Sequence, residues 1–451
     1  MGAFSWKLKG DGHTLAPGDV VAPDERLAWG KTIGLGAQHV VAMFGATFVF
    51  PLLMGLNAQL AIMMSGIATI IFLLMVSGKV PSYLGTSASF VGVAAAIRAQ
   101  PGADSRTVTG AILIGGVVLA LVGLLVHVAG SGIIHKVLPP VVTGAVVMLI
   151  GFNLAPVVAN VYWPQDQWVA LLVMTFAIVC AVALKGFLGR ISIFLSLVFG
   201  FVLSWLFDRG FGQITSFDAG AGKVTTHWRV NLDGVASSPW LGFPPATTTG
   251  ADGKELVGLH APTISFAAVL VVLPAIIALI AENTGHVKAV AEMTGADLDH
   301  VMGRAIAADG VATAVASSVG GSPTTTYAEN IGVMAATRIY STAAYVVAAF
   351  IAIIFGLSPK FGALVAATPG GVLGGITVVL YGMIGLLGAK IWKENNVDFA
   401  NPINLVPVAA GIILGIGNTA LKVSDTFELA GIALGTIVTI AAYHLARAFA
   451  H

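Results

Sequence analysis

Apolar stretches of about 20 residues recur along this chain and constrain its fold more than any other feature, because a helix of that length crosses a ~30 Å hydrocarbon core. Two shorter or broken apolar segments, near 84–98 and 324–336, raise the total to fourteen. The full-length stretches lie near 36–55, 58–77, 107–129, 137–159, 167–187, 190–207, 263–281, 303–320, 339–357, 361–389, 402–417 and 429–447. The chain is therefore expected to be an all-α polytopic membrane protein.

The composition supports this class and excludes several others. Hydrophobic residues make up 57% of the chain and charged residues only 10%, whereas soluble domains carry about 25% charge. The net charge of +1 and the lack of a Lys/Arg stripe argue against nucleic-acid binding. Cys180 is the only cysteine, which excludes an internal disulfide and a cysteine-rich metal site. No metal or cofactor is expected.

A long polar stretch divides the spans into two halves of seven. Each half has its short segment in third place, which is typical of an inverted repeat with a broken-helix binding site at its centre. The predicted organisation is a cytoplasmic N-terminal segment at 1–30, a first seven-segment repeat at 31–208, a long extracytoplasmic loop at 209–262 and a second repeat at 263–451. Two re-entrant loops without a ligand are the alternative.

The two short segments share a local pattern. In Ser322–Arg338 a lead of proline and β-branched threonines favours extended backbone, and a helix is predicted to start near Tyr327. Glu329 then lies in the first turn, where free amides and the positive end of the helix dipole meet a ligand. Tyr83–Phe90 shows the same hydroxylated lead in the first half. Both segments are predicted to be extended strands followed by half-helices.

A second acidic residue lies at the end of an apolar run. Glu282 follows 264–281 and is one helical turn from His286, so the two side chains can share a face. A carboxylate in hydrocarbon costs about 2.5–3.5 kcal/mol even on the lenient insertion scale. Glu282 is therefore expected to face a cavity or to be neutralised. The alternative is that it caps the cytoplasmic end of its helix beside Lys288.

The distribution of positive charge predicts the orientation. With the N-terminus inside and fourteen alternating spans, fourteen of the 22 Lys and Arg residues lie inside. Of the remaining eight, four lie in the long loop, which hardly counts in the positive-inside rule. The bias predicts that both termini are cytoplasmic.

Two motifs resemble a known family. Glu329-Asn330-Ile331-Gly332, followed after four residues by Thr337-Arg338, is similar to the signature of the nucleobase–ascorbate transporters, the nucleobase:cation symporter-2 family. Ala281–His286 resembles that family's other substrate-binding helix. TTYAENIGVMA is similar to the bacterial uracil and pyrimidine permease branch, and the resemblance covers nearly the whole chain.

The resemblance implies a fold and an activity. Segments 1–4 and 8–11 would form a core domain, and segments 5–7 and 12–14 a gate domain, with a homodimer through the gate by analogy. The implied activity is import of uracil or thymine by proton symport across the inner membrane. A purine permease for xanthine or urate is the alternative, but family carriers of those purines often have Gln at the position of Glu329. Ala328 stands where glycine is common and Ala88 where an aromatic residue occurs, so pocket width stays open.

Uracil offers two N–H donors and two carbonyl acceptors, and the two halves supply the complement. Glu282 and Glu329 can accept from the N–H groups while backbone amides near Ala88 and Ala328 donate to the carbonyls. The resemblance adds further candidates in three roles. Tyr327, Tyr381 and Ala46 are implied as substrate-binding residues, and His286, His39 and Asp309 as proton-coupling or polar support. The residues of the motif itself are Asn330, Gly332, Thr337 and Arg338. For His39 a buried, hydrogen-bonded histidine without a transport role explains the sequence equally well.

Proton coupling follows from placing two carboxylates in one low-dielectric site, where protonation of one relieves both burial and repulsion. An intramembrane hydrolase is a rival, but neither G-x-S-x-G nor H-E-x-x-H occurs, so no enzyme is predicted. An anion exchanger of the same seven-plus-seven fold is disfavoured because two acids would repel an anion. Gly411-x-x-x-Gly415 and Gly431-x-x-x-Gly435 predict close helix packing within or between protomers.

Overall fold

The structure is a computed structural model, and it describes residues 5–16, 19–98, 100, 102–130, 132, 136, 138–218, 223–249, 255–424 and 427–450. The first half contains β1 (Lys7–Leu8), β2 (Glu25–Arg26), α1 (Trp29–Met54), α2 (Ala58–Met75), β3 (Leu84–Thr86), α3 (Val91–Arg98), α4 (Ser105–Ala129), α5 (Pro140–Phe152), α6 (Ala155–Val157), α7 (Gln167–Ala183), α8 (Gly186–Arg190) and α9 (Ser192–Phe211). A 3-10 turn at Ala88–Phe90 joins β3 to α3.

The connecting region and the second half complete the chain. The connection contains β4 (Ile214–Asp218), β5 (Lys223–His227), α10 (Asp233–Ser237), β6 (Thr247–Thr249) and β7 (Glu255–Val257). The second half contains α11 (Phe266–Thr294), α12 (Asp299–Ser318), β8 (Thr324–Thr326), α13 (Ala328–Thr337), α14 (Thr342–Gly356), α15 (Pro359–Ala366), α16 (Gly370–Glu394), α17 (Pro402–Ile416), β9 (Ala420–Ser424), β10 (Phe427–Ala430) and α18 (Gly431–Phe449).

All but one of the fourteen predicted segments contain one main helix or a strand followed by a helix, and the segment at 361–389 contains two helices. Within the described residues, eight helical segments are long and apolar enough to cross a membrane, and one of them runs from Pro140 to Gln165 through α5 and α6. A ninth span results if α14 and α15, which are bent by 82° across a short break, count as one. The other segments are shorter or less apolar helices. The expected polytopic helical fold is confirmed.

Three boundaries differ from the sequence prediction. The prediction of a single span at 361–389 is wrong. The first residues of this segment belong to the separate helix α15, and α16 begins only at Gly370. The helix expected at 263–281 continues to Thr294, so Glu282 lies inside α11 instead of at its end. α1 begins at Trp29, within the predicted N-terminal segment.

Two short strands pair with each other in the buried interior of the fold. β3 and β8 pair antiparallel with Leu84 opposite Thr326 and Thr86 opposite Thr324. All residues of both strands are buried. Because the strands run in opposite directions, the half-helices that follow them leave opposite ends of the pair, as an inverted repeat requires.

Glycines allow two of the helices around this pair to approach closely. A Cβ added at Gly123 of α4 would lie 2.2 Å from the backbone nitrogen of Ala307 in α12. At Gly303 of α12 it would lie 2.3 Å from the backbone nitrogen of His127. Small residues at the contact are the usual basis of tight packing between membrane helices. Elsewhere α1 and α2 pack on α14, and α5 packs on α16.

The two GxxxG motifs pack against each other within the protomer. A Cβ at Gly435 of α18 would lie 2.6 Å from the carbonyl oxygen of Gly411 in α17. At Gly411 it would lie 1.8 Å from the Thr439 hydroxyl oxygen. These glycines therefore pack within one protomer, which decides between the two possibilities that the sequence left open.

The described part of 209–262, expected to be one large loop, contains two antiparallel strand pairs, β4 with β5 and β6 with β7, and α10. Arg229 forms ion pairs with Asp166 at 2.7 Å and with Asp208 at 3.1 Å. Near the other end of the loop, His260 Nε2 lies 3.0 Å from the hydroxyl of Thr109 in α4. The loop is therefore fastened to helices at both of its ends.

Candidate functional site

The site is built around the ends of the paired strands. Beyond the pairing itself, the amide of Ser87 donates to the carbonyl of Pro323 at 2.9 Å, and the amide of Tyr327 donates to the carbonyl of Tyr83 at 3.0 Å. These bonds satisfy extended backbone that a bilayer would otherwise leave unpaired. The predicted extended leads before both half-helices are present.

Both half-helices begin beside the strand pair. α13 starts at Ala328, one residue after the predicted start, with Glu329 in its first turn. The first-half helix begins as the 3-10 turn at Ala88, where the Ser87 hydroxyl accepts from the amide of Ser89 at 3.3 Å. Ala88 and Glu329 are half-buried and Ala328 is exposed. The helix starts therefore border open space, where their amides can meet a ligand.

Glu282 and His286 lie one turn apart on α11 and are both half-buried, as the spacing predicts. His286 Nδ1 lies within hydrogen-bond distance of the Thr326 hydroxyl, at 2.7 Å. α11, which carries Glu282, packs against β8 and against α13, which carries Glu329. The structure thus brings the two predicted carboxylates together at β8.

A buried polar pair lies behind this carboxylate. Asn283 donates from its side-chain amide to Asp309 of α12, and both residues are fully buried. The side-chain oxygen of Asn283 and the second carboxylate oxygen of Asp309 have no hydrogen-bond partner among the described residues. Asp309 is also within electrostatic range of Glu282. Asp309 is therefore a neighbour of the carboxylate site, and Asn283 is one that the sequence did not single out.

The motif residue Asn330 joins α13 to α1. Its side-chain amide donates to the carbonyl of His39 at 2.9 Å and lies 3.2 Å from His39 Nδ1. The His39 ring packs on Tyr345 with centroids 4.3 Å apart, and the Tyr345 hydroxyl donates to the Asn330 carbonyl at 3.3 Å. His39 is buried at 2% exposure, and the contacts described here join it to Asn330 and Tyr345.

The other motif residues shape the end of α13. Arg338 ends the helix with φ of 56°, a left-handed conformation that non-glycine residues rarely adopt. The Thr337 hydroxyl donates to the Val333 carbonyl at 2.9 Å, and the Arg338 carbonyl accepts from the amide of Val21 at 3.1 Å. Gly332 is half-buried within the helix.

The remaining candidates occupy different surroundings. Tyr327 is buried at 4% exposure, and its hydroxyl donates to the Thr86 carbonyl at 2.8 Å. Ala46 is buried in α1 beside Thr47, whose hydroxyl donates to Tyr327 at 3.1 Å. Tyr381 lines a cavity of about 460 Å³ that has no acidic residue among its lining residues. Thr86 belongs to the hydroxylated lead that the sequence indicated, whereas Thr47, in the middle of α1, carries no local sequence signal for its contact with Tyr327.

Comparison with known proteins places the chain among transporters. Residues 30–424 match a family model described as "Permease family". The chain is 42% identical over 441 residues to "Putative pyrimidine permease RutG" of Escherichia coli (strain K12), with 96% of this chain and 93% of that protein covered. It is 34% identical over 428 residues to "Uracil permease" of Bacillus caldolyticus, with 92% of each covered.

Solved structures share the fold at low identity. SLC26A9 aligns with a TM-score of 0.62 and 13% identity over 93% of this chain and 65% of that one. The transmembrane domain of the cyanobacterium bicarbonate transporter BicA aligns with a TM-score of 0.55 and 13% identity, covering 92% of this chain and 96% of that one. These likenesses confirm the predicted fold class. The chain therefore belongs to the permease family that its two motifs indicate, the nucleobase:cation symporter-2 family, and is a membrane transporter and not an enzyme.

Proposed function

We propose that this chain imports uracil, or the similar base thymine, across the inner membrane together with protons. The observation that carries the proposal is the convergence of Glu282 and Glu329 beside the starts of two half-helices. Relatives that align over more than nine-tenths of the chain are named uracil or pyrimidine permeases, which supports the substrate class.

The proposed binding mode matches donors with acceptors. A pyrimidine base presents two N–H groups and two carbonyls, so it needs two acceptors and two donors. Glu282 and Glu329 are the acceptors, and the amides at the 3-10 turn after Ser87 and at the start of α13 are the donors. Glu329 favours a pyrimidine because a glutamine there, which the resemblance associates with xanthine and urate carriers, would also present a donor.

Proton coupling is proposed for the same pair. Two ionised carboxylates that share one site at membrane depth repel each other and lack bulk water, so binding one proton lowers the free-energy cost of both effects. His286 is held by Thr326 at 2.7 Å and Asp309 by Asn283, so both are placed to orient the pair. A proton taken up outside would neutralise the site, allow the loaded core to move and leave on the cytoplasmic side.

We extend the proposal to the organisation of the chain. The core comprises segments 1–4 and 8–11 of the repeats at 31–208 and 263–451, and the gate comprises segments 5–7 and 12–14. Pairing of α4 with α12 and of α2 with α14, and separately of α5 with α16, supports this division. A homodimer through the gate would have to use a surface other than Gly411 and Gly435, because those glycines pack inside the protomer.

Uptake into proteoliposomes tests the substrate. Labelled uracil should accumulate with an inward proton gradient, and unlabelled uracil or thymine should displace it more strongly than xanthine or urate. Stronger displacement by xanthine would favour the purine alternative. If uracil accumulated to the same level with and without the proton gradient, proton symport would be rejected. Pyrimidine transport itself would still stand.

Reporter fusions test the orientation. The charge bias of fourteen inside against four in short outside segments predicts cytoplasmic termini. A reporter that is active only in the cytoplasm should work after His451, and one that is active only outside should work in the 209–262 loop. The opposite pattern would reverse the proposed topology.

A further inference from the structure

An apolar groove lies between α1 and α9, which also touch each other beside it, and is bordered by α14 and α15. Its volume is about 420 Å³, within the usual range for ligand sites of roughly 300–1,000 Å³. Val40 to Phe48 of α1 form one wall and Phe194 to Val202 of α9 form the other. Each wall covers eight residue steps, or roughly 12 Å of helix.

The lining of the groove is almost entirely apolar and is poorly suited to bind water or a nucleobase. Thr368 is the one lining residue with a polar side chain, and its hydroxyl already donates to the Val365 carbonyl at 2.8 Å. A water molecule needs two or more polar partners to stay in a cavity, so an apolar cavity of this kind stays dry. A pyrimidine would leave all its donors and acceptors unpaired here. Only a hydrocarbon occupant matches the lining.

Aromatic contacts form one end of the groove. The ring of Phe44 packs on Phe194 with centroids 5.6 Å apart and on Phe361 of α15 at 5.4 Å. Phe361 packs in turn on Phe355 of α14 at 4.9 Å. Rings from four helices therefore meet at this groove, and its shape does not depend on one side chain.

The mouth of the groove is continuous with the surface that faces lipid. Val198 is 44% exposed, Val202 is 50% exposed and Leu364 is 43% exposed, and all three line the groove. α9 is one of the eight helices long and apolar enough to cross a membrane within the described chain. Exposed apolar side chains on such a helix meet acyl chains, so hydrocarbon has direct access to the interior of the groove.

We propose that this groove binds one acyl chain of a membrane phospholipid. The bound chain lies between α1, whose His39 and Thr47 contact Asn330 and Tyr327 of the site, and α9, which lies across the groove. Any sliding of α1 along α9 must displace or deform the chain. The lipid therefore acts as an exchangeable packing element that influences how readily the helices shift.

Photolabelling of the full-length protein tests the proposal. The protein is reconstituted in phosphatidylethanolamine vesicles with a small fraction of phosphatidylethanolamine that carries a diazirine in its acyl chain, and labelled peptides are mapped after irradiation. Labelling is expected to concentrate on 40–48 and 194–202. The reference is the exposed face of α7, where Val179 is 54% exposed and Val182 is 81% exposed.

Tryptophan substitutions supply matched controls. Val202→Trp and, independently, Val198→Trp fill the mouth and are expected to abolish the excess label in the groove, whereas Val182→Trp leaves it unchanged. Labelling that follows surface exposure on every helix would overturn the proposal, as would an excess label that survives both groove variants. Cross-links from the groove to a second copy of the chain in place of lipid would also overturn it. None of these outcomes depends on which base is transported.

Discussion

The hydroxyl of Tyr327 donates a 2.8 Å hydrogen bond to the main-chain carbonyl of Thr86. The two residues are 241 positions apart and lie in different halves of the chain. Thr47 of α1 donates to the same hydroxyl at 3.1 Å. The Tyr327 side chain thus links the start of α13 to β3, the strand that leads into the first half-helix. It thereby fixes the spacing between the two candidate donor sites, which are the backbone amides at the two helix starts.

Replacing Tyr327 by Phe tests this tie. The change leaves the buried Thr86 carbonyl without that donor, and a buried group left unmatched costs about 1–3 kcal/mol. Thermal unfolding should therefore occur at a lower temperature, and uracil should bind more weakly by calorimetry because the donor sites are less well positioned. Tyr443→Phe in α18 is the matched control. Unchanged stability and affinity in Tyr327→Phe would show that the bond does not position the site.

Gly85 lies directly beneath the Tyr327 ring, and its replacement by Ala should be poorly tolerated. An added Cβ would lie 2.4 Å from Tyr327 Cζ and 2.4 Å from the Thr47 hydroxyl oxygen. The ring is held by two hydrogen bonds, so relief requires breaking them or moving the strand, and overpacking of this kind costs about 1–3 kcal/mol. Expression, melting temperature and uracil uptake should all fall.

The control for that substitution is Gly34→Ala, since an added Cβ there meets nothing within 4 Å. It should match the parent protein in all three measurements. Full uptake by Gly85→Ala would mean that the strand pair adjusts easily, which its complete burial argues against.

The contrast between local and long-range features explains what the sequence could predict. The spans and both strand-plus-half-helix segments were recognisable because hydropathy, the β-branched lead and Glu329 are local signals. The relationship of Tyr327 to Thr86 and Gly85 depends on tertiary pairing, for which no local pattern exists. The same holds for Asn283 and Asp309, which are adjacent only because α11 packs near α12.

Two errors have local causes. The break before α15 carried a signal, since Ser358 caps the helix by accepting from the amide of Phe361 at 3.4 Å and Pro359 takes the first position, but continuous hydropathy obscured it. The predicted end of α11 came from the charges at Glu282 and Lys288. Helical structure continues through them because one faces the site and the other is exposed.

Arg229 should be a major anchor of the long loop. Its guanidinium pairs with Asp166 and Asp208, and the side chains are 11%, 7% and 10% exposed. Removing one member of a buried ion pair costs about 3–5 kcal/mol, because the partner charges remain buried. Arg229→Ala should therefore lower the melting temperature and make residues 209–262 more sensitive to protease.

Lys390→Ala serves as the comparison for this anchor. Lys390 and Glu394 form an i,i+4 pair whose side chains are 64% and 59% exposed, and exposed pairs contribute about 0–1 kcal/mol. Little change is expected in melting or in protease sensitivity. An equal response of the two variants would indicate that Arg229 adds no more than an ordinary surface charge.

The two carboxylates should differ in role although they lie together. Glu329 is in the first turn of α13, where the dipole and free amides favour an ionised acceptor, whereas Glu282 lies in the interior of α11, well beyond the first turn of its own helix. Glu282→Gln mimics a protonated carboxyl, so it should still bind uracil but lose accumulation driven by a proton gradient. Glu329→Gln places a donor against a donor, and this mismatch costs about 1–3 kcal/mol, or roughly one to two decades in affinity.

Calorimetry and proteoliposome uptake with and without the gradient measure both effects, and Glu292→Gln, an exposed position on α11, is the control. Gradient-driven uptake retained by Glu282→Gln, or parental affinity in Glu329→Gln, would reject this division of roles even if uracil transport itself is demonstrated.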